Sequence, residues 1–388
     1  MNPQRLLLVL VITALTLVSL AAGTLAADWP FWRRVIALAQ LPDSGEWPDS
    51  FYQPVVRIGD EAGMQPVAPV AAEAERSIDA AALEAAAEWA ARHGSVALLV
   101  MHRGRLQLER YWQGMAPDTL FSARAMSRTL VGFATGLAVA DGQLALDDRA
   151  DRWFAEWHDE PRGAITLRQL LHNVSGLEEA PPGGAPLPAD AGPLARLRQS
   201  ASDLLGRNAR LALGTDIAAA ALSFDSEHEP GARFSLSNAS AQLVAVALER
   251  ATGKPTSATW SSACGARSRA APPSSTWTRF GGMPAAYCCF RATPLAFLRL
   301  GSLLAHDGQL DGRRILPAGW VAEMARGSRM NPNFGLLLWS GNVAAGLREY
   351  ATGSSRGVHH GEPYAADDVL WMEGGGGGRS GSCLRGIS

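Results

Sequence analysis

Residues 121–148 read FSARAMSRTLVGFATGLAVADGQLALDD. The run from Leu130 to Ala140 is apolar and helical in spacing, and Asp141-Gly142 is a stop signal for its C-terminal end. Upstream, Asp79–His93 is Ala- and Glu-rich with helical spacing. Val96–Met101 and Leu106–Tyr111, joined through Arg103-Gly104, predict a β-hairpin. Downstream, Leu167–His172 predicts a short helix closed by Ser175-Gly176, and residues 180–193 a Pro/Gly/Ala loop. Ala239–Thr252 is an amphipathic helix stopping at Gly253, and Pro294–His306 is another, followed by Asp307-Gly308. Phe334–Trp339 and Val369–Met372 read as strands. Strands at both ends and helices between them predict an α+β fold, an antiparallel sheet from both termini with a helical region inserted.

The chain has 388 residues, 47% apolar and 19% charged, enough apolar material to build a core and exclude general disorder. Its formal charge is −2 and no block of like charge runs five residues, which excludes a nucleic-acid footprint. Four cysteines do not make a disulfide framework, and the adjacent Cys288 and Cys289 are not expected to bridge to each other.

Arg5 precedes an uncharged apolar stretch, Leu6–Ala27, long enough to span a bilayer as a helix. Thr24-Leu25-Ala26 offers a small-x-small cleavage site, so residues 1–27 are either a retained anchor or a cleaved signal peptide. Both readings export the body of the chain to a periplasmic location. Trp29, Phe31 and Trp32 follow where an interfacial aromatic belt would sit. Residues 28–75, rich in Pro, Asp and Trp without a sustained period, read as a linker, and 76–388 as the folded domain.

Four segments carry a resemblance. Gly142–Asp148 reads GQLALDD, Thr166–Leu177 reads TLRQLLHNVSGL, Glu229–Phe234 reads EPGARF ahead of the 239–253 helix, and His306–Met324 reads HDGQLDGRRILPAGWVAEM. In this order they resemble the beta-lactamase-related serine hydrolases, the group of class C beta-lactamases, D-alanyl carboxypeptidases, esterases and nylon-oligomer hydrolases. The resemblance runs from about residue 94 to 378. It implies a beta-lactamase/transpeptidase-like fold and cleavage of an amide or ester through an acyl-serine. A linear amide, an ester or a cell-wall peptide is the implied substrate, with no cofactor and no metal.

That chemistry needs a serine activated by a neighbouring base. The resemblance places Ser and Lys three residues apart at the head of the apolar helix, a Tyr-x-Asn or Ser-Asp-Asn on a second segment, and on a third a strand with Lys-Thr-Gly or a variant that also supplies an oxyanion N–H. Here the nucleophile position holds Ala125 and the lysine position Arg128. Alanine carries no nucleophile, and arginine stays protonated. Ser127 is the nearby hydroxyl, about 200° around the helix from position 125; it reads as a substitute nucleophile or as a plain helix serine. In the second motif Leu236 replaces the tyrosine, while Asn238 either contacts a substrate carbonyl or caps the following helix. In the third, Glu373 leads into five glycines, and Gly374 and Gly375 are the candidate oxyanion and substrate-binding residues. His172 lies in a segment that the resemblance makes structural. His359-His360 lacks a carboxylate or cysteine at ligand spacing and does not read as a metal site.

Two stretches break the pattern. Residues 256–280 contain no Leu, Ile, Val, Asp, Glu or Lys but six Ser and four Thr. They read as a segment translated out of frame, or as a polar surface loop. Arg379–Ser388, RSGSCLRGIS, reads as a second frame change with an early stop; the resemblance implies that a strand pairing with the N-terminal strand is thereby lost. Cys264 and Cys383 fall in these stretches. The expected function is therefore an impaired serine hydrolase or, alternatively, a non-catalytic relative that binds peptides or cell-wall fragments. The expected partners are a small amide or ester and, through residues 1–27, a membrane.

Overall fold

The computed structural model describes residues 28–40, 54–58, 70–178, 192, 206–263, 274–276, 282–341, 347–348, 358–359, 368–374 and 379–383, with scattered residues before 28. The stretch Leu6–Ala27 lies largely outside them. Among the described residues no helix is long and apolar enough to cross a membrane.

The first element is helix α1 (Trp29–Ala39), inside the expected linker. Phe31 is fully buried beneath the guanidinium of Arg210. Arg34 is buried too, its Nη1 donating to the carbonyls of Leu213 and Gly214, each at 3.0 Å. The aromatic cluster 29–32 thus divides: Phe31 turns into the protein while Trp29 stays half exposed. The helix is amphipathic, unlike the period-free linker expected here, and one of its buried anchors is an arginine. Strand β1 (Val55–Arg57) follows in the same expected linker.

Helix α2 (Ala80–Arg92) is capped by Asp79, whose carboxylate accepts from the Ala82 amide at 2.9 Å. Strands β2 (Ala97–His102) and β3 (Arg105–Tyr111) form the expected hairpin. Arg103 and Gly104 at its tip both have positive φ, the conformation that follows strand twist in a two-residue turn. Leu83 and Ala87 of α2 and Leu108 of β3 make a small core of their own.

After β4 (Phe121–Ser122), helix α3 (Ser127–Ala140) runs through the main core, with eleven of its residues buried. Two glycines let neighbours approach it. A Cβ on Gly136 would lie 2.3 Å from the Trp320 indole nitrogen, which donates to Gly132 O at 3.1 Å. Helix α4 (Leu167–Leu171) begins with a capping box between Thr166 and Gln169. Helices α5 (Arg207–Leu213), α6 (Ile217–Leu222) and α7 (Asn238–Thr252) complete the helical region around α3. Ser237, not Asn238, caps α7, because its side chain accepts from the Ser240 amide; Gly253 ends the helix in the left-handed conformation.

Residues 256–263, within the stretch read as out of frame, form helix α8 (Thr256–Ala263) against α3. Its buried side chains are Thr256, Thr259, Trp260 and Ala263, the one-face spacing of a helix written in Thr, Trp and Ala. A count of Leu, Ile and Val does not detect it. Residues 264–273 lie outside the described residues. Strand β5 (Ser274–Thr276) pairs with β1 and with β6 (Phe290–Ala292), and β6 with β4, making a four-stranded sheet.

Helix α9 (Pro294–Ala305) and the hairpin β7 (Gln309–Leu310) and β8 (Arg313–Arg314) precede helix α10 (Trp320–Ala325). The strand expected at Phe334–Trp339 is displaced. Leu337 has φ of 58°, which bends the chain, and only β9 (Trp339–Ser340) is a strand. Two-residue strands β10 (Leu347–Arg348) and β11 (Val358–His359) pair with each other. Strand β12 (Val369–Glu373) pairs with β9 and with β13 (Arg379–Cys383), so the first half of the expected out-of-frame tail is a paired strand.

The α+β arrangement is as expected. Among the described residues the strands form several small antiparallel sheets, and the hairpin β2–β3 is not hydrogen-bonded to β13. The two ends of the chain meet instead on α9, which packs against both β2 and β13.

Candidate functional site

The turn Arg124–Met126 leads into α3 and carries Ala125, which is half-buried. Arg124 before it is exposed with φ of 45°, a left-handed conformation that non-glycine residues disfavour. The turn is tied at both ends to one residue of β6: the Ala123 amide donates to Phe290 O at 2.6 Å, and Ser127 Oγ accepts from the Phe290 amide at 3.2 Å. Ser127 is fully buried. Its hydroxyl serves that backbone contact and does not open on a cleft, which argues for the helix-serine reading.

One turn into α3, Arg128 is buried and reaches the second motif. Its Nη1 donates to Ser237 O at 3.3 Å and its Nη2 to Asn238 Oδ1. Leu236 is half-buried against the core and brings no hydroxyl to this place. Tyr287, close enough for the Arg128 charge to act on it, does not substitute. Burial raises its phenol pKa, and the OH donates to Leu211 O at 2.9 Å.

The third motif closes on the first. Gly374 is buried, and a Cβ there would lie 2.5 Å from the carbonyl oxygen of Ala123. Only glycine lets the end of β12 pass this close. Gly375 lies outside the described residues. The three segments thus converge: Arg128 joins Asn238, and Ala123 meets Gly374.

Asn173 was not singled out in the sequence, yet it holds the second motif. Its Oδ1 accepts from the Ser237 amide at 2.7 Å and its backbone oxygen from the Ser235 amide at 2.9 Å. Ser175 and Ser240 share a hydrogen bond at 2.9 Å beside it. Asn173 has φ of 55°, the kind of position asparagine tolerates, and that was the available signal.

His172 lies among the Phe334 backbone, Arg168 and Glu323, and among the described residues its Nδ1 has no hydrogen-bond partner. Burial pushes its pKa below the ordinary 6.5, against the weaker opposing pull of the Phe334 hydrogen bond. The unfolded chain therefore takes up a proton that the folded chain resists. Stability is fully present above about pH 6.5 and falls as pH drops toward the folded pKa, at up to about 1.4 kcal/mol per pH unit. In urea titrations a His172→Gln variant is expected to lose this slope between pH 6.5 and 5; parallel slopes for variant and parent would refute a buried neutral imidazole.

A cavity of about 430 Å³ lies elsewhere, lined by Met101, Arg299, Ser302 and His306 among others. It shares no residue with the three segments, and Arg299 is already paired with Asp311. Among the described residues no group of three His, Cys, Asp or Glu could hold a metal. The His359-His360 pair is described only at His359, in β11.

Residues 80–259 match the family model described as Beta-lactamase, a span holding three of the four resembling segments. Esterase EstB of Burkholderia gladioli is 32% identical over 126 residues, which cover 28% of this chain and 32% of that protein. The match thus spans about a third of the curated relative's length. Among solved structures, a Bacillus anthracis protein assigned as a 6-aminohexanoate-dimer hydrolase aligns with a TM-score of 0.63 at 17% identity, covering 86% of this chain and 83% of that one. A Bacteroides dorei protein assigned as a beta-lactamase aligns at 0.54 and 20% identity, covering 80% and 88%. The resemblance to the beta-lactamase-related group is borne out, and the fold is the beta-lactamase-like one.

Proposed function

We propose that this chain, with a beta-lactamase-like fold and a family match over residues 80–259, is a serine hydrolase of the ester- and amide-cleaving kind by descent, and that its own chemistry is impaired. The observation that carries this reading is Arg128 in the place of the base, bound to Asn238, three residues after an alanine in the place of the nucleophile.

Acyl transfer needs an oxygen at position 125 to attack the carbonyl. It then needs a group that takes the proton and later gives it to the leaving group. Ala125 offers no oxygen. The Arg128 guanidinium does not deprotonate near neutral pH, and Leu236 cannot relay. Removing a nucleophile typically costs several powers of ten in rate. What is left can position: Arg128 and Asn238 hold each other, and Gly374 brings a strand end beside Ala123.

Retained positioning without chemistry supports a second reading, binding of a linear amide, ester or cell-wall peptide without turnover. The observation favouring it is that Asn173 still clamps the second motif. Export through residues 1–27, as signal or anchor, belongs to the same proposal.

The purified chain is expected to hydrolyse nitrophenyl butyrate no faster than buffer. Turnover that disappears in Ser127→Ala would overturn the proposal and make Ser127 the nucleophile.

A further inference from the structure

Cys288 and Cys289, expected not to bridge, form a disulfide between chain neighbours. The two sulfurs are not in equivalent places. Both residues are half-buried, but Cys288 packs against the main core and Cys289 is not among the residues that do. Cys289 has φ of 73°, in the left-handed region that non-glycine residues disfavour.

The chain is pinned on either side of the pair. Before it, the Ala286 amide donates to Gln242 Oε1 at 2.8 Å and the Tyr287 hydroxyl to Leu211 O. After it, both backbone groups of Phe290 hold the turn that carries Ala125, through Ala123 and Ser127. The disulfide lies between these two held stretches, at a residue in the left-handed region.

We propose that Cys288–Cys289 is a thiol–disulfide exchange site, open to small dithiol reductants, that sets the rigidity of the turn at Ala123–Arg128. A reductant thiolate attacks Cys289 Sγ, the S–S bond breaks, and Cys288 Sγ leaves as a thiolate that takes up a proton. The reductant's second thiol then attacks the mixed disulfide. Cys289 is released as a thiol, and the reductant departs as its own disulfide, having given two electrons. Freed, Cys289 relaxes out of the left-handed region and Phe290 loses its fixed hold on Ala123 and Ser127. The inference does not depend on turnover, so it stands or falls separately from the hydrolase reading.

The test uses the full chain purified in air. A non-reduced digest is expected to give the peptide holding both cysteines about 2 Da lighter than its dithiol form. With dithiothreitol, amide exchange at Ala123 and Phe290 is expected to rise about tenfold or more, with little change in α7. A Cys288→Ser/Cys289→Ser variant is expected to exchange like the reduced chain and ignore the reductant, which separates the pair from Cys264 and Cys383. Two free thiols in the aerobic protein would overturn the proposal. So would a disulfide whose reduction leaves exchange at Ala123 and Phe290 unchanged, or raises it equally throughout. If the variant does not fold, the comparison of oxidised and reduced parent chain decides alone.

Discussion

Restoring Ala125→Ser together with Arg128→Lys is expected to raise the hydrolysis of nitrophenyl butyrate by about two to three powers of ten over the parent chain. Positions 125 and 128 are three apart at the head of α3, where one side chain can reach the next. A lysine amine, unlike a guanidinium, loses its proton readily when buried beside another cationic or apolar group. Ala125→Ser alone is expected to gain less than about tenfold, because a serine beside a permanent cation has no base. Arg128→Lys alone should gain nothing, since it supplies a base to no nucleophile. Adding Leu236→Tyr is expected to raise the double variant further by returning the proton relay.

The exchange carries a stability cost. Arg128 gives up bonds to Ser237 O and Asn238 Oδ1, about 1–3 kcal/mol if either is left unsatisfied. Activity is therefore to be read alongside an unfolding curve. A double variant that folds like the parent yet turns over no faster would mean that Ala125 and Arg128 do not stand where nucleophile and base belong. The proposed descent of the site would then fail.

The second large effect concerns α8. Trp260→Ala is expected to destabilise the chain by about 3 kcal/mol in urea, the low end for a large aromatic truncated in a core. The indole is fully buried, edge-on to Phe290 at 6.3 Å between centroids, on a helix packed against α3. The helix start is secured by Glu249, whose Oε1 accepts from both the amide and the hydroxyl of Thr256 at 2.6 and 2.7 Å. The low end applies because Trp260 Nε1 is buried without a hydrogen-bond partner among the described residues, so truncation also relieves an unsatisfied donor. For the same reason Trp260→Phe is expected to cost under about 1.5 kcal/mol, keeping a ring and shedding the N–H. A neutral Trp260→Ala would mean that residues 256–263 are no part of the core, as the surface-loop reading has it.

Much of the fold was legible because its elements announce themselves locally. Helix α7 is amphipathic and stops at a glycine, the β2–β3 hairpin turns on Arg103-Gly104, and α4 is closed by Ser175-Gly176. The missed elements are marked less plainly. Helix α1 opens after Asp28 with Pro30 in its first turn, but its buried face includes an arginine bound to two carbonyls far along the chain. Helix α8 writes its buried face in threonine, tryptophan and alanine, and β13 is rich in Ser and Gly with its partner in β12. The bridge from Cys288 to Cys289 occurs where Cys289 has positive φ, a backbone state that composition does not display.

For the candidate site the division falls between identity and neighbourhood. That residue 125 is an alanine and residue 128 an arginine is written in the amino-acid sequence, and their assignment to the nucleophile and base positions is what the resemblance implies. What surrounds these residues was decided by tertiary structure. Arg128 finds Asn238 across 110 residues, and Ser127 Oγ is taken by the Phe290 amide across 163. Ala123 meets Gly374 from the far end of the chain. Hydrogen bonds and close backbone approaches act over about 3 Å whatever the separation along the chain, so only the folded arrangement chooses their partners.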